Sequence, residues 1–228
     1  MTSDRADILA RVRGAIGRTE NSGPPAAPEY ANARLIPERA QGTPADLVVR
    51  FVDMATEAGV TVNRIRSTAD IGASVAGWLR DNGLPTDIVV APDPALDAAG
   101  WGAATALSVR RGAATGDDKV TVNSSVAGIA ETGTVMVAAT PQTPYTLNFL
   151  PDTHIVVVRA EDIVGSYEDA WAKLRPGNEA GGALPRTVTL ITGPSRSSDI
   201  ERIVTVGVHG PLRLHILLVG QADGEEKI

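Results

Sequence analysis

The 228-residue sequence contains no cysteine. That removes disulfides, thiolate zinc sites and cysteine-ligated iron–sulfur clusters from this chain. No apolar run approaches the roughly 20 residues that cross a bilayer, so no membrane span is expected. The opening MTSDRADILARVRGAIG has neither a long apolar core nor a cleavage-site pattern. It therefore does not read as a signal peptide, and a cytoplasmic protein is the simplest expectation. No block of lysine and arginine appears, and the formal net charge of -6 repels polyanions, which argues against nucleic-acid binding. The histidines are His154, His209 and His215. Only His209 and His215 are close in sequence, across a turn, and no metal site is expected. Neither a Walker A nor a G-x-G-x-x-G fingerprint is present, and no internal repeat is visible.

What remains is an ordinary globular composition, with 43% hydrophobic residues, enough to build one α/β domain and an arm. Residues 4–17 carry Ile8, Val12 and Ile16 on one stripe and read as an amphipathic helix. It is expected to pack on its own domain or hang as a loose arm. Five of the fifteen prolines (Pro24, Pro25, Pro28, Pro37, Pro44) fall in 19–45, which reads as a linker. The expected division is 1–44 for helix and linker, 45–222 for the α/β domain and 223–228 for a polar tail.

Within the domain, 43–58 reads as a helix with Leu47, Phe51, Met54 and Ala58 on one face and Gly59 as its stop. A strand is expected at 60–65, a helix at 70–81 with Ile71, Val75 and Trp78/Leu79 inward, and a strand at 87–91. This rhythm predicts parallel strands covered by helices. Four later segments, 134–139, 154–159, 188–192 and 214–219, are continuous apolar runs, which suit central strands buried on both faces. A short helix is expected at 166–174 and a flexible loop at 177–182.

Three polar clusters border these strands, and in open α/β sheets ligands bind beyond the carboxyl ends of strands. The first is Glu131-Thr132-Gly133-Thr134. The small residues 123–130 before it suit a short helix or a tight turn. On a helix, Glu131 would stand at the negative C-terminal end, so something must offset the cost. Backbone donors can do that. Alternatively Glu131 is a carboxylate kept ready to accept a proton or attack an acyl group. The second cluster runs Gly193-Pro194-Ser195-Arg196-Ser197-Ser198-Asp199-Ile200-Glu201. Ser198 and Glu201 fit a capping box, and the same free amides at a helix start can hold an anion. The third is Gly207-Val208-His209-Gly210-Pro211. His209 is either a general acid/base or a turn residue bonded to backbone. His215, inside an apolar strand, reads as a satisfied core histidine.

Together "AETGT", "GPSxxxDIE" and "GVHGP", with the step Leu150-Pro151-Asp152-Thr153-His154-Ile155, resemble the lactate-utilisation protein C family (LutC/YkgG, the LUD domain) across roughly 45–220. Serine stands at Ser198 where threonine is commoner. The resemblance implies a three-layer α/β/α sandwich with a mainly parallel central sheet, similar to the NagB/RpiA/CoA-transferase fold, behind an N-terminal helix. It also implies a setting: a system oxidising L-lactate to pyruvate, in which partner subunits carry the iron–sulfur clusters and this chain binds no cofactor. The related transferases use a glutamate nucleophile, and Glu131 is its analogue by fold alone. The expected site holds Glu131 and His209 as catalytic groups. Thr132, Gly133, Thr134, Gly193, Pro194, Ser195, Ser198, Asp199, Glu201 and Gly210 would line a pocket for a small carboxylate or phosphate. Two rivals stand beside this reading: a stand-alone acyl-transferase-like or sugar-phosphate-isomerase-like enzyme, and a structural scaffold.

Overall fold

The computed structural model describes residues 3–17, 36–175, 184–197 and 205–220. Contacts divide the chain between Leu35 and Ile36. The first unit is a helix, α1 (Ser3–Ala15). Ile8, Leu9 and Val12 on it, and Ile16 after it, are exposed. Most of the proline-rich segment, the 177–182 loop and the 223–228 tail lie outside the described residues.

The second unit opens with α2 (Pro44–Glu57). Thr43 and Asp46 form a capping box, and Pro44 stands in the first turn, where its missing N–H leaves no bond unmade. The strands are β1 (Thr61–Ile65), β2 (Asp87–Val90), β3 (Ser108–Arg111), β4 (Val120–Ser124), β5 (Ala127–Ile129), β6 (Thr134–Ala138), β7 (Thr153–Arg159), β8 (Ile163–Val164), β9 (Val188–Ile191), β10 (Arg196–Ser197), β11 (Thr205–Val206) and β12 (Arg213–Val219). The remaining helices are α3 (Ile71–Asp81) and α4 (Tyr167–Leu174).

Six strands form one sheet in the order β1-β12-β7-β4-β2-β3. Every pairing in it is parallel. Side chains alternate faces along a strand, and the core follows. Ile155, Val157, Leu217 and Val219 join Ile71, Val75 and Leu79 of α3 in one core. Val156, Val158, Leu214, Ile216 and Leu218 join Val48, Phe51 and Ala55 of α2 in another. Helices therefore cover both faces of the parallel sheet, the expected α/β class. The buried stripe of α2 is Val48, Phe51 and Ala55, turned by about one residue from the stripe expected from sequence; Leu47 is half-buried against it.

Two of the four apolar runs belong elsewhere. β6 and β9 lie in a second sheet of order β8-β5-β6-β9, where β6 pairs antiparallel with both β5 and β9. β9 is only half-buried, with Leu190 exposed. Continuous hydrophobicity therefore marks neither membership of the parallel sheet nor, in β9, burial on both faces. Residues 123–130, expected as a helix or turn, finish β4 and form β5. Small residues are needed there because a Cβ on Gly128 would come within 3.0 Å of Phe51 Cε2.

Both strand histidines are buried. His215 stacks on Trp78, with ring centroids 4.1 Å apart, and its Nδ1 meets Thr61 Oγ1 at 2.8 Å. Its Nε2 has no partner among the described residues, so it is only partly satisfied. His154 Nε2 meets Asn123 Oδ1 at 2.9 Å, and Asn123 Nδ2 donates to Asn148 Oδ1 at 2.7 Å. Burial pushes His154 down to about 3 and His215 down to about 4. Both are thus neutral when folded, while the unfolded chain takes up protons near pH 6.5. Stability contributed by this difference is full above pH 6.5 and is lost as pH falls toward the folded values. Urea midpoints should be flat above pH 6.5 and decline between pH 6.5 and 5, with a shallower decline in His215→Gln. A midpoint unchanged over that interval would contradict the buried neutral state.

Gly133 sits at φ +65, and a Cβ there would collide with the backbone of Met54 and Ala55. Gly133→Ala should therefore destabilise by about 2 kcal/mol or more, adding a clash to the left-handed backbone penalty of about 1–2 kcal/mol. Chemical denaturation reads this directly, and a neutral substitution would mean that α2 can move aside.

Candidate functional site

The first cluster is a hairpin turn. β5 and β6 pair with Ile129 opposite Thr134, and the chain reverses through residues 130–133. Glu131 is 5% exposed. Its carboxylate accepts from the backbone N–H of Tyr167 at 3.3 Å and lies 3.6 Å from Arg39 Nε. Tyr167 opens α4 behind the capping Ser166. Glu131 therefore stands at the positive start of a helix rather than the negative end of one, reversing the sequence expectation. A buried carboxylate with a helix amide and a guanidinium beside it is adequately held as structure.

Beside it lies a hydroxyl chain. Thr134 Oγ1 meets Thr132 Oγ1 at 2.7 Å, Tyr167 Oη at 3.1 Å and Thr192 Oγ1 at 2.6 Å. The last bond joins the first cluster to the end of β9. Glu131 and Thr132 also line an open cavity of about 750 Å³ with Arg39, Asp46, Arg50 and Asp53. Arg50 already donates to the carbonyls of Arg39 and Gln41.

The second and third clusters meet each other. Ser195 N–H donates to the Pro211 carbonyl, Gly207 N–H to the Ser195 carbonyl, and His209 N–H to Ser195 Oγ at 3.3 Å. Gly193, at φ +90, lets the chain pass close to the Ala58 carbonyl at the end of α2, and Arg196 donates to that same carbonyl at 3.1 Å. Pro194 and Gly210 are half-buried in this loop, and His209 is exposed. Three of its amides are thus engaged within the loop rather than turned toward a ligand. Ser198, Asp199 and Glu201 lie outside the described residues. The structure joins Ser195 to His209 and Thr134 to Thr192; the Glu131 carboxylate faces Arg39 and Tyr167 instead. The loop follows the carboxyl end of β9 and precedes β12, as the sequence suggested, so in the parallel sheet it lies near the amino ends of β1 and β12 and not at the carboxyl rim.

The carboxyl ends hold a different feature. A cavity of about 360 Å³ opens there, with Asp93 after β2, Ser124 and Ser125 at the end of β4, Val157 and Arg159 of β7, and Val219 of β12 in its wall. Ser124 Oγ donates to Asp93 Oδ2, and Asp93 Oδ1 accepts from Ala95 N–H at 2.9 Å. Sequence reasoning passed over these residues. The available signal was positional: Asp93 and Ser124-Ser125 are the first polar residues at the carboxyl ends of neighbouring parallel strands. Among the described residues, no group of three or more His, Asp or Glu is placed to hold a metal ion. No described helix is long and apolar enough to cross a membrane.

Residues 119–219 match the family model described as LUD domain. The chain is 37% identical over 91 residues to lactate utilization protein C of Geobacillus thermodenitrificans (strain NG80-2). That alignment covers 40% of this chain and spans only 38% of the relative's length. Lactate utilization protein C of Bacillus subtilis (strain 168) is 25% identical over 95% of this chain and 96% of its own. The Escherichia coli (strain K12) protein YkgG is 26% identical over 95% of this chain and 98% of its own. A crystal structure of a DUF162 family protein from Deinococcus radiodurans superposes with a TM-score of 0.56 at 22% identity, covering 79% of this chain and 100% of that one. The fold is thus shared with that protein. Residues 119–219 thus match the LUD domain, and likeness to lactate utilization protein C of Bacillus subtilis and to YkgG of Escherichia coli runs along nearly the whole chain.

Proposed function

We propose that this protein serves lactate utilisation as a subunit that carries no redox centre and works beside iron–sulfur partners oxidising L-lactate to pyruvate. The observation that carries the reading is the near-full-length likeness to a relative named for lactate utilisation. A chain without cysteine supplies no thiolate for a cluster, so electron transfer falls to other subunits.

The cavity beside Glu131 supports a partner more than a free small anion. Its wall holds three carboxylates, Asp46, Asp53 and Glu131, against two guanidiniums, Arg39 and Arg50. Arg39 already faces Glu131, and Arg50 already serves backbone carbonyls. A small carboxylate entering there meets excess negative charge, whereas a basic side chain from another subunit meets complementary charge. This replaces the anion pocket expected at Glu131 with a docking role. A second reading, acyl transfer through Glu131, has one favouring observation: the carboxylate borders open space wide enough for a substrate.

The test is deletion and capture in lactate-grown cells. Deletion should abolish growth on L-lactate, and tagged protein should recover iron-containing, cysteine-rich partners. Asp53→Lys, an exposed change on the cavity rim, should cut that recovery about tenfold, as like charges facing each other do at an interface. Normal growth on lactate after deletion, or capture free of iron, defeats the proposal. Turnover of an acyl thioester by the purified chain, lost in Glu131→Gln, would establish the second reading instead.

A further inference from the structure

The cavity at the carboxyl ends of β2, β4, β7 and β12 carries one carboxylate without a cation to match it. Asp93 is half-buried, and its bonds among the described residues come from the Ser124 hydroxyl and the Ala95 amide. A carboxylate has about four acceptor positions, so about two of these stay open. Ser124 gives its only hydroxyl hydrogen to Asp93, and Ser125 gives its own to the Val157 carbonyl at 3.2 Å. Three side chains on this wall therefore present oxygens with no hydrogen left to donate. A ligand placed against them must bring the donors.

Charge points the same way. The wall itself holds two acids, Asp93 and Asp162, and one base, Arg159. Asp162 is matched by Lys173 at 2.6 Å, and Arg159 is matched by Glu161. Arg111, which reaches the Leu96 carbonyl behind the wall, is matched by Asp97 at 2.8 Å. Adding each of these partners leaves the excess unchanged at one negative charge, and that charge is Asp93. A cation entering the cavity thus meets net attraction and an anion net repulsion. The rest of the wall is apolar: Leu96, Val157 and Val219 belong to the core beneath it. The volume of about 360 Å³ lies at the small end of the ~300–1,000 Å³ typical of ligand pockets, so the ligand is a small one.

From these observations we propose that this cavity binds a small free primary amine, whose ammonium donates to Asp93 and to the oxygens of Ser124 and Ser125 while its hydrocarbon lies on Leu96, Val157 and Val219. An ammonium supplies three donors and one positive charge and accepts nothing, which suits this wall. The site is separate from the Glu131 face, and the proposal stands independently of the role in lactate utilisation. It is a binding assignment and invokes no reaction.

n-Butylamine is the probe, at neutral pH where an alkylamine is protonated as lysine is. Titration of the full chain, followed by amide chemical shifts, should give saturable movement of Ala95, Ser124 and Ser125. Neutral 1-butanol and anionic butyrate should bind the same amides at least about tenfold more weakly, for want of a charge-assisted bond. The N,N,N-trimethylbutylammonium ion keeps the charge but has no donor, and it too should bind more weakly than butylamine. Asp93→Asn keeps an oxygen for the Ala95 amide and removes the charge; it should cut the preference for butylamine over 1-butanol about tenfold. A merely structural defect would weaken both ligands alike and leave that ratio unchanged. Asp93→Ser, which also retains a capping oxygen, carries the same test if the asparagine variant melts early. Failure of butylamine to move these amides overturns the assignment. So does equal or tighter binding of any of the three comparators, or an unchanged preference in a charge-removing variant that keeps the wild-type circular dichroism spectrum. Tighter binding of the blocked tripeptide acetyl-Gly-Lys-Gly-amide than of butylamine would also overturn it, assigning the site to a lysine of another protein.

Discussion

The structure depends on a parallel strand pair buried on both faces. β7 and β12 run in register for seven residues, from Thr153 opposite Arg213 to Arg159 opposite Val219. Odd positions of β7 feed the α3 core and even positions feed the α2 core, so a one-residue slip would exchange the two. A sheet closed on both sides has almost no room for polar groups in its middle. The few it holds are bonded: His215 to Thr61, Thr121 to the Leu147 carbonyl, and His154, Asn123 and Asn148 in a chain that leaves His154 Nδ1 and Asn148 Nδ2 unpartnered among the described residues. Polar chemistry is therefore pushed to the two rims, and the rims differ.

At the amino rim the polar residues hold the protein together. Ser195, Gly207, His209 and Pro211 bond among themselves, and Gly193 and Gly133 allow their loops to pass against the backbone of α2. These are the segments whose sequence stands out, and close approach of backbone to backbone accounts for much of their character. At the carboxyl rim the polar residues surround empty volume instead. Asp93 and Ser124 are brought together from strands adjacent in space, 31 positions apart in the chain. No local pattern announces such a pair.

That contrast explains what the sequence disclosed. α3 was legible because Ile71, Val75 and Leu79 recur at helical spacing and all three are buried. β7 and β12 were legible as unbroken apolar runs. β6 has the same signature but pairs antiparallel in the second sheet, because a run of buried residues does not say which neighbour buries it. β5 was misread as helix or turn since Ala127 and Gly128 suit several conformations; the size of Gly128 is dictated by Phe51, far away in the chain. Glu131 was correctly singled out as costly. What offsets the cost is the start of α4, 36 positions later, together with Arg39.

The two cavities draw their walls from opposite sides of the sheet. Met54 and Arg50, beside Glu131, belong to α2, whereas Leu96, Val157 and Val219, beside Asp93, belong to the core under α3. No wall residue is common to both. A subunit docked on the α2 face would therefore leave the Asp93 cavity uncovered by direct contact. The β5–β6 hairpin nevertheless borders both, with Glu131 and Thr132 at its turn and Val126 and Ala138 at its open end, and so joins the two places outside the parallel sheet.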